Sequence, residues 1–135
     1  MIKQIFGAES PYKKRARLLA ILWTLLIFIL CFLPGNELPD VNIPFIDKWT
    51  HLVLFGVFSF LWLCANPGIQ IRFLLIILAI TIFLGWLVEY IQGHFVVGRT
   101  QDNMDTLADT AGGIMGILLF VIMYRISNKE TAGNN

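Results

Sequence analysis

The sequence is poor in ionisable side chains and rich in apolar ones. Lysine, arginine, aspartate and glutamate account for 14% of the 135 residues, and hydrophobic residues account for 57%. This balance is too apolar for a soluble domain of this size and is typical of a membrane protein. The net charge is only +1, and no basic face carries interleaved aromatic residues, so we expect no nucleic-acid partner. The sequence also has no internal repeat or low-complexity tract, which favours one small domain.

Cysteine is scarce as well, because the chain has only Cys31 and Cys64, each within an apolar run. If the two lie in neighbouring antiparallel helices, each near the far end of its helix, they are too far apart for a disulfide. We therefore predict two free, buried cysteines that pack as small hydrophobic residues. Neither is expected near the polar residues described below.

Four apolar runs organise the chain. They extend over Leu18–Leu33, from Asp47 to Ala65, over Phe73–Tyr90 and from Asp105 to Tyr124. A helix needs about 17 to 25 residues to cross a bilayer, so each run is close to the lower limit. The first run has bulky residues where a signal peptide would have a small-residue cleavage site, and we expect it to remain as a helix.

These runs predict an all-α fold, specifically an integral membrane four-helix bundle. We expect the bundle in residues 18–125, with a basic segment before it (residues 1–17) and a polar tail after it (residues 126–135), which frays from residue 127. Residues 93–104 are predicted to form a polar loop, and His94 is expected to be a loop residue.

The basic residues predict the orientation of this bundle. With the N-terminus inside, the inner segments hold eight of the ten lysine and arginine residues, namely Lys3, Lys13, Lys14, Arg15, Arg17, Arg72, Arg125 and Lys129. The outer loops then hold only Lys48 and Arg99. Because cytoplasmic segments are enriched in these residues, we predict a multi-pass protein of the cell membrane with both termini in the cytoplasm. The lipid bilayer is its expected surrounding, and the oligomeric state stays open.

The remaining ionisable residues collect at the predicted outer ends of the helices, chiefly in the stretch from residue 89 to residue 116. At about 100° per residue, Asp102, Asp105 and Asp109 share one face of the fourth helix with Gly112 and Gly116. Carboxylates are costly against lipid, so this face is expected to point into the bundle and to mark a functional site. The glycines would let a second helix approach closely.

Four motifs occur in order along the chain. They are Asp47-Lys48-x-x-His51 at the start of the second helix, Glu89-x-x-Gln92 at the end of the third, Gly98-Arg99-x-x-Asp102-x-x-Asp105, and Gly112-x3-Gly116. In this order they resemble the VanZ-like family of small bacterial membrane proteins, whose namesake is associated with resistance to the glycopeptide antibiotic teicoplanin. The resemblance covers residues 15–125 and implies a membrane protein of the cell envelope.

The chain departs from the family's usual pattern at one position. Where members have asparagine followed by a small residue and glycine, this chain has Asp109-Thr110-Ala111-Gly112. A carboxyl group at residue 109 must either ionise and meet a cation or hold a proton. The partner bound at this position can therefore differ from that of other members.

Three interpretations of the polar residues stay open. In the first, they bind a cell-envelope component, which is a lipid-linked precursor, a phospholipid head group or a glycopeptide antibiotic. The residues expected to take part are Asp47, Lys48, His51, Glu89, Gln92, Arg99, Asp102, Asp105 and Asp109. The two cations would hold a phosphate or a carboxylate, and the carboxylates would meet amines or hydroxyl groups.

In the second interpretation the protein is a membrane enzyme, with Glu89, Asp105 and His51 as candidate acid–base residues. No serine or cysteine is expected beside them as a nucleophile. In the third, ion pairs hold the helix ends together and no ligand binds, although the carboxylates outnumber the cations. The residue types would suit a divalent cation, but the spacings H-x-x-x-H and E-x-x-H are absent, and we predict neither a metal nor another cofactor.

Overall fold

The computed structural model describes residues 11–35 and 44–132, and these form four α-helices. In chain order they are α1 (Lys13–Cys31), α2 (Ile46–Ala65), α3 (Ile71–Phe95) and α4 (Asn103–Ala132). No strand occurs within these two ranges. The prediction of an all-α fold with four helices is therefore confirmed.

The connection between α3 and α4 is shorter than predicted. α3 continues to Phe95 and α4 begins at Asn103, so the predicted loop over residues 93–104 is wrong, and the connection is residues 96–102. His94 lies in the last turn of α3, where its Nδ1 is 2.8 Å from the Tyr90 carbonyl oxygen and its ring stacks on Tyr90 at 4.3 Å between centroids. These contacts extend α3 by about one turn beyond the apolar run.

α1 and α4 also extend through charged residues. α1 begins at Lys13 rather than at Leu18, and α4 continues past Tyr124 to Ala132. Lysine and arginine are good helix formers. A helix can therefore continue through charged residues beyond the end of its apolar run. The prediction that the chain frays from residue 127 is wrong as far as Ala132.

Consecutive helices run antiparallel. Between α1 and α2, Trp62 Nε1 donates to Thr24 Oγ1 at 3.2 Å. Between α2 and α3, the hydroxyl groups of Ser59 and Thr81 lie 2.9 Å apart. α2 and α4 run parallel, because Gly112 approaches Leu52 and Gly116, one turn later, approaches Gly56, and both helices begin at the same end of the bundle.

The closest packing is between these two parallel helices, along a stripe of glycines. A side chain at Gly112 would overlap the carbonyl oxygen of Leu52, and a side chain at Gly116 would overlap the carbonyl oxygen of Gly56. A Cβ added to Gly56 would lie 3.1 Å from the Gly112 carbonyl oxygen. The backbones of α2 and α4 therefore touch directly, which brings the first turns of both helices together.

The interior contains two apolar clusters, one towards each end of the bundle. The first consists of Ile27, Cys31, Leu54, Phe55, Phe58 and Val88, and the second of Leu63, Cys64, Ile77 and Phe120. The two cysteines are buried and free, and they belong to different clusters. The prediction that they form no disulfide is confirmed.

Three helices are long and apolar enough to cross a membrane: α2, α3 and the part of α4 over Asn103–Lys129. Large apolar side chains on their outer faces are exposed, for example Phe83 (57%) and Leu118 (56%), and lipid would cover them. α1 begins Lys-Lys-Arg-Ala-Arg, which shortens its apolar part. Length and composition thus indicate a membrane protein with three candidate spans, and a fourth span through α1 stays a prediction.

Charge separates between the two ends of the bundle. At the end where α1 and α3 begin and α4 finishes, the charged side chains that the structure describes are all basic. They are Lys13, Lys14, Arg15, Arg17, Arg72, Arg125 and Lys129, and we call this the basic end. The described side chains of Asp47, Glu89, Asp102, Asp105 and Asp109 lie at the opposite end, which we call the polar end.

Candidate functional site

Three helix ends and one short connection meet at the polar end. α2 and α4 contribute their first turns, α3 contributes its last turns, and residues 96–102 cross between α3 and α4. The nine side chains predicted to form a site all lie here, and we call them the polar cluster: Asp47, Lys48, His51, Glu89, Gln92, Arg99, Asp102, Asp105 and Asp109. The parallel arrangement of α2 and α4 makes this possible, because it places the N-terminal turns of both helices side by side although they are far apart in sequence.

His51 is the centre of the polar cluster. Its Nδ1 lies 3.0 Å from Asp109 Oδ1, and its Nε2 lies 3.8 Å from Glu89 Oε1. All three side chains are at most 3% exposed. A carboxylate only accepts hydrogen bonds, so the short contact has His51 Nδ1–H donating to Asp109. A buried imidazole is thus held between two buried carboxylates from different helices.

A glycine on α3 makes room for Asp109. A Cβ at Gly85 would lie 2.7 Å from Asp109 Oδ2 and 2.9 Å from Asp109 Cβ. Because those distances are below van der Waals contact, any larger residue on α3 would displace the carboxylate from His51. Gly85 was not singled out from the sequence, since its role appears only when α3 and α4 are placed side by side.

Asp102 links α3 to the start of α4. Its backbone N–H donates to Glu89 Oε2 at 2.9 Å, and its Oδ1 accepts from the Met104 N–H at 2.8 Å. The second contact is an N-cap that satisfies one free donor of α4. The Lys48 ammonium at 2.7 Å, together with the Met104 N–H, lowers the pKa of the Asp102 carboxyl below its usual value.

The two cations of the cluster each meet a carboxylate. Besides Asp102, Lys48 Nζ contacts Asp105 Oδ1 at 3.1 Å. Arg99 Nη1 lies 3.4 Å from Asp47 Oδ1, and the Arg99 side chain is 16% exposed whereas that of Asp47 is 47% exposed. Such ion pairs are what we expect if the polar residues only hold the helix ends together and bind no ligand.

The network is nevertheless incomplete. Among the residues that the structure describes, three buried side-chain atoms of this cluster have no hydrogen-bond partner: Glu89 Oε1, Asp109 Oδ2 and Arg99 Nε. A buried polar atom without a partner costs about 1 to 3 kcal/mol, and more when it is charged. The cluster therefore has both acceptors and a donor available for a group from outside the chain.

A hydrogen bond between Gln92 and Cys31 joins α3 to the end of α1. The Gln92 amide donates to the Cys31 carbonyl oxygen at 2.7 Å, so Gln92 fastens the end of α1 to α3. Cys31 therefore lies directly beside a member of the polar cluster. The prediction that neither cysteine lies near the polar residues is wrong for Cys31, because α1 ends at the polar end of the bundle.

Three members of the cluster have the geometry of metal ligands. One ring nitrogen of His51 and one carboxylate oxygen each of Asp47 and Asp105 lie within 4.8 Å of one another. These residue types suit a divalent cation, but sequence spacing cannot show that they converge, because the third ligand comes from a different helix. The i, i+4 pair of Asp47 and His51 was the only local signal.

Comparisons with known proteins do not identify the chain. No family model, no curated protein and no solved structure matches it. The resemblance to the VanZ-like family rests on the four sequence motifs alone and stays a prediction.

Proposed function

We propose that the protein is a VanZ-like, multi-pass protein of the cell membrane whose polar cluster binds a cell-envelope component on the extracytoplasmic side. The candidate ligands are a lipid-linked precursor, a phospholipid head group and a glycopeptide antibiotic. In this proposal α1 is a fourth span, both termini are cytoplasmic, and binding contributes to resistance to glycopeptides such as teicoplanin.

The observation that carries the proposal is the set of buried atoms without partners. If the polar cluster served only to hold helices together, its donors and acceptors would be expected to satisfy one another. Glu89 Oε1, Asp109 Oδ2 and Arg99 Nε do not. A ligand that carries an anionic group for Arg99 and hydrogen-bond donors for the carboxylates would complete the network.

Envelope lipids and their precursors have this mixed chemistry. A phosphate group can accept from two guanidinium nitrogens at once, and Arg99 is only weakly occupied by its 3.4 Å contact with Asp47. Amine and hydroxyl groups of a head group would donate to the free carboxylate oxygens. Asp47 and Asp102 have side chains 47% and 42% exposed, so a ligand can enter from the surface of the polar end.

The distribution of charge supports the proposed orientation. The basic end carries all of the described lysine and arginine side chains except Lys48 and Arg99. Cytoplasmic segments are enriched in basic residues, which supports an extracytoplasmic polar end. α1 reaches that end and is fastened there by Gln92 and by the Gly35 N–H, which donates to the Val97 carbonyl oxygen at 3.0 Å.

A second candidate function, acid–base catalysis, is favoured by the surroundings of His51. One ring nitrogen is oriented by Asp109 at 3.0 Å, and the other faces Glu89 at 3.8 Å. An imidazole oriented by a carboxylate is the usual arrangement of a general base. The substrate would then be the same envelope lipid or its phosphate, with activated water as the nucleophile.

Orientation is tested by labelling intact cells with a membrane-impermeant maleimide. Val97, at the polar end, is 77% exposed, and Gly68, in the opposite connection, has open space around it. The native cysteines are buried and should contribute little background. We expect Val97→Cys to be labelled in intact cells and Gly68→Cys only after permeabilisation, and the reverse pattern would overturn the orientation.

Ligand binding is tested by native mass spectrometry of protein released gently from its membrane. We compare the wild type with Arg99→Ala and Glu89→Gln, and Arg72→Ala at the basic end is the matched control. A phospholipid or polyprenyl-linked species that is retained by the wild type and by Arg72→Ala, but lost from the other two, supports the proposal. Equal retention in all four proteins contradicts it.

In parallel, expression of the wild type but not of Arg99→Ala should raise the inhibitory concentration of teicoplanin.

A further inference from the structure

We propose that the polar cluster binds one divalent transition-metal ion through His51, Asp47 and Asp105, with Glu89 as the buried carboxylate beside His51. This site goes beyond the envelope ligand proposed above and does not depend on it, because it rests on the positions of four side chains. Three of the four come from the first turns of α2 and α4, and the fourth comes from the last turns of α3.

The first observation is the proximity of three ligand atoms. A nitrogen of His51 and an oxygen each of Asp47 and Asp105 lie within 4.8 Å of one another. Ligand atoms on a single ion are about 2.0 to 2.4 Å from it, so two of them can be as much as about 4 to 5 Å apart. The three side chains therefore converge on one ion with little movement.

The second observation points to a ligand independently of that cluster. Glu89 Oε1 is buried and has no hydrogen-bond partner, and it lies 3.8 Å from His51 Nε2. This separation is too long for a hydrogen bond but suits two ligands of one ion. An ion between them would give Glu89 Oε1 the partner that the protein does not supply.

Each of the three carboxylates is already held by a neighbouring donor. Asp105 Oδ1 contacts Lys48, Asp47 Oδ1 contacts Arg99, and Glu89 Oε2 accepts from the Asp102 N–H. One atom of each carboxylate thus fixes the side chain. A carboxylate has two oxygens with about four lone-pair sites, so it can bind an ion while it keeps such a contact.

His51 is oriented in the same manner. Because its Nδ1–H donates to Asp109 at 3.0 Å, the lone pair for binding an ion is on Nε2. Metal-binding histidines characteristically donate their other N–H to a carboxylate or a carbonyl group, which fixes the tautomer and raises the basicity of the ligand. Asp109 is therefore a positioning residue for His51, and this gives a reason for a carboxylate at residue 109.

Charge also favours a bound cation. The polar cluster contains Asp47, Glu89, Asp102, Asp105 and Asp109 against Lys48 and Arg99. Buried charges are stable only when they are paired, and the two amino-acid cations are already engaged with Asp102, Asp105 and Asp47. A divalent ion beside Glu89 and Asp105 would offset the excess where burial is greatest.

The ligand set indicates the class of metal. One imidazole with carboxylates suits zinc, manganese or iron, whereas magnesium and calcium sites prefer oxygen ligands alone. The half-exposed Asp47 side chain gives an ion and a bound water a path from the surface. We expect zinc or manganese to bind more tightly than magnesium or calcium.

The test is equilibrium dialysis of the full-length, chelator-treated protein in detergent against zinc, manganese, magnesium and calcium separately, with metal per chain measured by mass spectrometry. We expect saturable uptake of about one zinc or manganese ion per chain. His51→Gln and Asp47→Asn should bind at least about tenfold more weakly. The matched control is His94→Gln, which changes the exposed histidine at the same end and should keep the wild-type affinity.

Two results would overturn the site: uptake without saturation, and equal affinity in the wild type, His51→Gln and Asp47→Asn, which would show surface binding only. If His51→Gln does not fold, Asp47→Asn still decides the question because Asp47 lies at the surface of the cluster. Metal uptake without any retained lipid or antibiotic would support this site while contradicting the proposed function. A retained lipid without metal uptake would do the opposite.

Discussion

The contact between α2 and α4 makes a direct prediction for Gly116→Ala. In the interior of an isolated helix this change stabilises by about 1 kcal/mol, because alanine has the higher helix propensity. In this bundle the new methyl group would overlap the Gly56 carbonyl oxygen and would lie 3.2 Å from the Phe60 amide nitrogen. Both are backbone atoms of α2, so no side-chain rotation can relieve the overlap.

The helices must therefore separate. Overpacking of this kind costs about 1 to 3 kcal/mol, and we expect the upper part of that range because moving α2 also loosens its contact with Gly112. When the gain of about 1 kcal/mol in helix propensity is subtracted from this cost, the free energy of unfolding falls by about 1 to 2 kcal/mol. The assay is reversible unfolding in mixed micelles with increasing dodecyl sulfate, followed by circular dichroism.

Gly68→Ala is the matched control for this experiment. A Cβ at Gly68 meets nothing within 4 Å, and Gly68 does not have positive φ, so alanine there should be neutral or slightly stabilising. If Gly116→Ala unfolds at the same detergent composition as Gly68→Ala, the direct backbone contact between α2 and α4 is refuted.

Three further predictions concern single contacts. Trp23→Phe removes the hydrogen bond from Nε1 to the Leu54 carbonyl oxygen (2.8 Å) and should lower the free energy of unfolding by about 1 kcal/mol, measured in the same micelles. Asp109→Asn should preserve folding, since an amide oxygen can still accept from the histidine; gross loss of monodisperse protein on size exclusion would contradict this. The lowered pKa of Asp102 means that its carboxylate stabilises the fold fully above the usual aspartate pKa of about 4, and that this contribution is lost progressively as the pH falls from that value through the lowered pKa of the folded state. The stability difference between wild type and Asp102→Asn, which keeps the N-cap, should therefore shrink in thermal unfolding at pH 3 compared with pH 7; an unchanged difference would contradict the role of the Lys48 pair.

The inward face of α4 could be predicted because it follows from a single helix. Asp105, Asp109, Gly112 and Gly116 recur with helical periodicity, and the structure buries all four. The four helices followed from the apolar runs in the same way. Both inferences need only local sequence and the known cost of placing charge against lipid.

The errors have a common physical cause, which is that tertiary contacts override local signals. The apolar run predicted that α3 ends near Tyr90, but the stacking of His94 on Tyr90 accompanies a longer helix. Cys31 was placed away from the cluster because no local signal shows that Gln92 reaches the end of α1. Likewise, the role of Gly85 as space for Asp109 exists only between two helices.

Because α2 and α4 are parallel, both present the positive ends of their backbone dipoles to the carboxylates, and both present the negative ends to Arg125, Lys129 and the other side chains of the basic end. Each such pairing is favourable. In the proposed orientation the basic end faces an interior that is electrically negative, and moving one charge through 100 mV corresponds to about 2.3 kcal/mol. The membrane potential would thus act on this chain as an aligning field, holding the basic end inside and the acidic end outside after insertion.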